Sequence, residues 1–261
     1  MTLLQKFFAC HSAAAVRGEG GGGRGRVRVR AIDGEDKDAR RQTILDAAER
    51  LFLEHHGLAN VADVADAAGL AKGTVYLYFQ TKEELYLALH TRHVERYFTA
   101  LIAQLNCGRT FTFDALLELT DEHLISAPIY MPLGACCIGF APDAVPLAAA
   151  QHFQSQMVTW LMAAGEGLER HFPKLAALGA GEGARLLKHS YAIMIGLHSL
   201  HGEVHQSDPK CPRVPGMGSY QEEATLALMR YWAHVAGTPD LSMQYITQST
   251  KNHTPFKEPK A

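Results

Sequence analysis

The segment AAGLAKGTVYLYFQTKEEL, residues 67–85, sets Tyr76 and Tyr78 beside Thr74, Lys72 and Lys82, directly after a glycine that interrupts an alanine-rich stretch. A buried core has no use for phenols, a hydroxyl and amines on so short a piece. A polyphosphate surface does, since hydrogen bonds to nucleic acid go mostly to phosphate and sugar. Val75 and Phe79, four residues apart, give the segment an inward anchor of helical spacing. Lys72, Gly73, Thr74, Tyr76 and Tyr78 are then left facing outward. Gly73 allows a close backbone approach, and Lys72 stands near the positive end of the helix dipole, both features that suit phosphate.

Helix punctuation continues on either side. Upstream, Ile44, Leu45, Ala48, Leu51 and Phe52 recur at helical steps and predict a helix over about 38–56, with Gly57 as its terminator. Asn60 reads as the N-cap of a short helix, VADVADAA, with Asp63 three residues on. Its Val61, Val64, Ala65 and Ala68 point inward, and Gly69 ends it. A second short helix is expected from Lys72 to Phe79. Thr81 and Glu84 then form a T-x-x-E capping box that opens a long helix over about 81–106. Two short helices joined by a glycine turn and braced by longer ones make a helix-turn-helix.

With that arrangement in place, ILDAAERLFLEHHG followed by VADVADAAGLAKGTVYLYFQTKEELYLALH resembles the N-terminal domain of tetracycline-repressor (TetR) type transcription regulators. The matching residues are Val64-Ala65, Ala68-Gly69-Leu70, Ala71-Lys72-Gly73-Thr74, Tyr76, Tyr78-Phe79 and Lys82-Glu83. About fifty residues are covered, with LANVA standing where the family carries threonine or serine ahead of the first short helix. The resemblance implies an all-α protein: an N-terminal helix-turn-helix domain plus a C-terminal helical domain that binds a ligand and dimerises. It implies DNA contact through Lys72, Gly73, Thr74, Val75, Tyr76, Tyr78 and Lys82. Thr74 and Tyr76 would lie nearest the base edges, and Lys72, Tyr78 and Lys82 would lie on the sugar-phosphate backbone.

Composition sets wider bounds. The chain has 261 residues, 47% of them hydrophobic, and a formal net charge of -2, so any nucleic-acid surface is local rather than global. Between Asp33 and His90 six Lys/Arg face eleven Asp/Glu, while Arg17, Arg24, Arg26, Arg28 and Arg30 cluster upstream. That basic stretch, with its GEGGGGRG run, reads as a disordered Gly/Arg-rich extension over residues 1–37, a solvated leader whose alternative role is an arm on a DNA groove. The helix-turn-helix domain follows over 38–90, a helical effector and dimerisation domain over 91–236, and a weakly ordered tail over 237–261. A Pro/Gly-rich linker is expected at 206–219. No run of eighteen apolar residues is present, which argues against a membrane span. Five scattered cysteines without CxxC spacing suit a reducing cytoplasm.

The second half is helical by period, with an irregular piece expected around Ile129–Ile138. The last two helices, about 182–205 and 220–236, are apolar enough to need a partner, and the resemblance implies that they pair with those of a second copy. A homodimer gives two recognition helices one DNA turn apart, as a palindromic operator requires. Large apolar side chains crowd the middle helices, and His123, Tyr130, Phe140, Phe153, Met157 and Trp160 are the candidates to line a pocket for a small, largely apolar effector. His198, His201 and His205 share one helix face, so metal sensing there is the alternative reading, as is thiol sensing at Cys136-Cys137. A further rival is an enzyme or carrier that keeps a helix-turn-helix. No nucleophile–base pair or phosphate-cradling loop with catalytic spacing stands out, so catalytic residues, cofactors and bound metal are not expected. The expected whole is a cytoplasmic, ligand-released repressor.

Overall fold

The computed structural model describes residues 27–141, 143–201 and 218–236, with side chains from residue 36 onward. All of its regular elements are helical, in keeping with the all-α expectation, and no strand occurs among the described residues. The extension before residue 27, most of the 206–219 linker, the tail from residue 237, and His205 lie outside the described residues.

Helix α1 spans Val27–His55, α2 Val61–Ala67, α3 Lys72–Tyr76 and α4 Lys82–Leu105. Then come α5, Phe113–Thr120, and a π-helical turn, Asp121–Ile125. The remaining helices are α6, Tyr130–Ile138; α7, Leu147–His171; α8, Pro173–Ala176; α9, Glu182–His201; and α10, Tyr220–Ala236. Three differences from the sequence reading have local causes. First, α1 starts at residue 27 rather than 38, because nothing between them stops a helix: no proline is present, and Gly34 costs only about 1 kcal/mol against alanine. Second, the residue with positive φ after α1 is His56, at 52°, rather than Gly57. Third, Ile129–Ile138 is not irregular, since Pro132 falls in the first turn of α6, where its missing N–H leaves no intrahelical bond unmade.

The chain divides into two compact units. The first takes the chain up to Val94 together with Pro128–Gln156, and the second takes Glu95–Ala127 with the chain from Met157. The breaks therefore fall inside α4, after Val94, and inside α7, after Gln156. In the first unit, Ile44, Leu45, Ala48 and Phe52 of α1 are buried together with Val61, Val64 and Ala65 of α2 and with Leu85, Tyr86 and Leu89 of α4. In the second, Trp232 of α10 donates its indole N–H to Ser190 Oγ at 2.8 Å and stacks on Phe113. Helices α7 and α9 touch backbone to backbone: a Cβ on Gly165 would stand 2.4 Å from the Ala184 nitrogen. Only glycine fits there. Among the described residues no helix is long and apolar enough to cross a membrane.

Candidate nucleic-acid interface

Asn60 caps α2 as its sequence position suggests. Its Oδ1 accepts from the backbone N–H of Ala62 at 2.9 Å and of Asp63 at 3.0 Å, satisfying two of the donors that a helix start leaves open. At the other end Gly69, at φ 67°, lets the Leu70 N–H reach back to the Ala65 carbonyl and its own N–H to that of Asp66. This is the Schellman closure, which needs a left-handed residue and is cheapest with glycine. It reverses the chain within a few residues and aims α3 away from α2.

Helix α3 is shorter than expected, ending at Tyr76, but Leu77 keeps helical dihedrals and the Phe79 N–H still bonds to the Val75 carbonyl. Val75 is fully buried and Phe79 almost so, with the Arg41 guanidinium over the Phe79 ring at 5.1 Å. Val75 is therefore corrected from a contact residue to an anchor: a side chain with no exposed surface has none to offer a partner. The others do face out. Lys72, Gly73 and Tyr76 are exposed, and Thr74 and Tyr78 are half-buried. A Cβ on Gly73 would meet nothing within 4 Å, and Lys72 Nζ lies over the Tyr76 ring at 5.9 Å. Leu77, absent from the expected contacts, is the most exposed large apolar side chain of the segment, at 80%.

Lys82, expected on the sugar-phosphate backbone, also makes a bond within the protein. Its Nζ donates to the Leu58 carbonyl at 2.7 Å, and one turn later the Tyr86 hydroxyl donates to the Ala59 carbonyl at 3.2 Å. Together they fasten the loop before α2 to α4. Burial pushes the Tyr86 phenol up to about 12, against the opposing bond to Ala59, so it stays a donor. Thr81 accepts from the Glu84 N–H at 3.0 Å, while the Glu84 carboxylate takes the Gln80 N–H, so the capping box forms one residue offset. Across the unit, Arg92 of α4 pairs with Asp46 at 2.6 Å and with Glu49 of α1, and His93 lies 3.2 Å from Glu49.

The six residues expected to line a pocket separate into the two units. In the first, Tyr130 and Phe153 flank His90 of α4, at ring distances of 5.3 and 6.1 Å, and Phe140 is buried. In the second, Trp160 stacks on Phe98 at 6.0 Å and His123 lies 6.4 Å from Tyr97, with Met157 half-buried. His90 falls on the apolar face of α4, at helical spacing from the buried Tyr86, Val94 and Tyr97, and it is the chemically unusual group. It is 4% exposed, and neither ring nitrogen has a hydrogen-bond partner. Burial, with a smaller push from His93, lowers its pKa to about 3.

His198 and His201 pack against the Tyr220 ring, and the His201 Nδ1 lies 2.9 Å from the Leu197 carbonyl. No group of three metal-ligating side chains occurs among the described residues. Burial raises the thiol pKa of Cys136 and, further, of Cys137, which points at the Tyr86 carbonyl. Both therefore favour the unreactive thiol over the thiolate that redox sensing needs.

Comparison with known proteins bears on the same segment. The family model of bacterial regulatory proteins of the tetR family matches residues 44–89. The HTH-type transcriptional activator FasR of Mycolicibacterium smegmatis is 40% identical over 60 residues, 23% of this chain and 27% of that protein. The HTH-type transcriptional repressor ComR of Escherichia coli is 33% identical over 86 residues, 33% of this chain and 41% of that one. The repressor LfrR of Mycolicibacterium smegmatis is 32% identical over 101 residues, 39% and 52% of the two chains. The chain thus spans between about a quarter and about half the length of these relatives. Residues 44–89 thus carry the helix-turn-helix domain of the tetR family of bacterial regulatory proteins.

Proposed function

We propose that the protein is a cytoplasmic, homodimeric transcription regulator that binds a palindromic operator through α3 and is released by a small, largely apolar effector. One observation carries the DNA reading. The face of Lys72, Thr74, Tyr76 and Tyr78 is turned outward by the burial of Val75 and Phe79, within the stretch that matches the family. Repression is the sign we assign, in line with the repressors ComR and LfrR and against the activator FasR. The effector reading draws on the aromatic surroundings of His90 and on α4, one continuous helix from the capping box to Leu105. Its first half holds α1 through Arg92. A ligand that favours a different setting of α4 by about 1–3 kcal/mol changes operator affinity from several-fold to more than a hundredfold.

The test is footprinting on the DNA that flanks the gene, followed by gel-shift titration of Tyr76→Ala. Tyr76 is 43% exposed, so removing its ring should leave the circular dichroism spectrum unchanged while affinity drops at least tenfold. Unaltered binding by the variant sinks the interface reading.

A further inference from the structure

We propose that Leu77 reads the 5-methyl group of thymine in the major groove, an apolar point at the centre of an otherwise polar contact face. The inference rests on the DNA reading above and adds a base preference to it. At 3.6 residues per turn, successive side chains are about 100° apart. Val75 and Phe79 then point, on average, about 180° from Leu77. Because Val75 is 0% and Phe79 2% exposed, Leu77 lies on the outward midline, with Thr74 on one flank and Lys72 and Tyr76 on the other. Register is kept through Leu77: its φ and ψ are -72° and -20°, and its N–H bonds to the Thr74 carbonyl at 3.1 Å.

One turn before Leu77 the chain carries Gly73, and nothing, the Leu77 side chain included, stands within 4 Å of where a Gly73 Cβ would be, so the surface beside Leu77 is open backbone. Exposure alone does not single Leu77 out, since Leu147 and Leu200 are also exposed, at 67% and 83%. Its setting does. Lys72, Thr74, Tyr76 and Tyr78 surround it, so anything that docks on this segment meets Leu77 together with a set of hydroxyls and an amine. A surface that offers acceptors on all sides and one apolar group at its floor is the major groove at an A·T pair, where thymine presents O4 and the C5 methyl.

The experiment selects a binding sequence from a randomised duplex library with the full chain, then replaces its thymines one at a time with deoxyuridine. That change removes a methyl and nothing else. At a thymine under Leu77 it should weaken wild-type binding about fourfold per half-site, the worth of one buried methyl. Leu77→Ala should bind the thymine duplex more weakly and be indifferent to the same replacement, the non-additivity of two groups that touch. Wild-type indifference at every thymine overturns the proposal while leaving the interface reading intact, and so does Leu77→Ala retaining the sensitivity. A library that yields no sequence overturns both.

Discussion

Helix α3 and the middle turn of α4 break the usual rule of burial in opposite directions. On α3 a leucine and a tyrosine stand in solvent, at 80% and 43% exposure, where a stable fold would bury them. On α4 an imidazole is sealed between Tyr130 and Phe153, with both nitrogens unpartnered, where a stable fold would put a leucine or satisfy it. Each departure costs the free protein something and is held in place by well-packed neighbours: Val75 and Phe79 under α3, Leu85, Leu89 and Val94 along α4. Sites where local rules fail against a consistent background are where function is to be sought. The two differ in what they wait for. The exposed groups of α3 stand in solvent, whereas His90 is polar and unsatisfied inside the protein.

The sharpest way to break the comparison is to exchange its terms within α3. Val75→Ala removes two methyl groups from a fully buried position and should destabilise the chain by about 2 kcal/mol, the scale of core truncations. Its neighbour Tyr76→Ala should cost under about 0.5 kcal/mol by the same measurement and yet lose far more DNA affinity at temperatures well below either midpoint. Urea unfolding of both, beside their gel-shift titrations, checks the pair. Equal stability losses would mean that α3 has no division into an anchored and a presented side.

For α4 the matching measurement is pH. The His90 pKa falls from the ordinary 6.5 to about 3 in the folded chain, while the unfolded chain keeps the ordinary value. Its contribution is therefore fully present above pH 6.5 and drains away as pH falls toward 3, because only the unfolded state gains the proton. Between pH 7 and pH 5 this amounts to about 2 kcal/mol at the scale of 1.36 kcal/mol per unit. His90→Phe should abolish that part of the slope. It should also raise stability at neutral pH by about 1–3 kcal/mol, since a ring without polar atoms leaves none unsatisfied. A variant as acid-sensitive as the wild type would place the lost stability elsewhere, in Glu49 and its ion pairs. Where His90 serves an effector, the same variant keeps operator binding and stops responding to the ligand.

How far the sequence foretold each region follows from the range of the forces at work. The caps and turns of α2 to α4 were legible because Asn60, Gly69 and Thr81 act on backbone groups within five residues of themselves. The family pattern then gave the contact residues of α3, of which Val75 is buried. Interactions across the chain were silent. Lys82 looks like any basic residue at a helix start until Leu58, 24 positions away, is seen to take its ammonium. Helical spacing from Tyr86, Val94 and Tyr97 marks His90 for a buried face, but its isolation depends on Tyr130 and Phe153, which only the folded chain brings near. The division at Val94 and Glu95 likewise has no glycine or proline to announce it, because α4 runs straight through it.

The smallest effect concerns the loop that sets α2, and it separates fastening from contact. Asn60→Ala removes an acceptor of two backbone N–H bonds and should cost about 1 kcal/mol, the usual worth of an N-cap. Asn60→Ser should recover most of it, because a hydroxyl oxygen reaches the same donors. Differential scanning calorimetry resolves a change of that size, a few degrees in Tm. DNA affinity well below the midpoint should stay within about twofold, since Lys82 and Tyr86 still hold Leu58 and Ala59 in place. A larger loss of affinity in Asn60→Ala, recovered by serine, would instead make the start of α2 a phosphate contact in its own right. The polar surface would then extend from α3 to the helix before it, and the contrast with α4 would be between two whole helices and one buried ring.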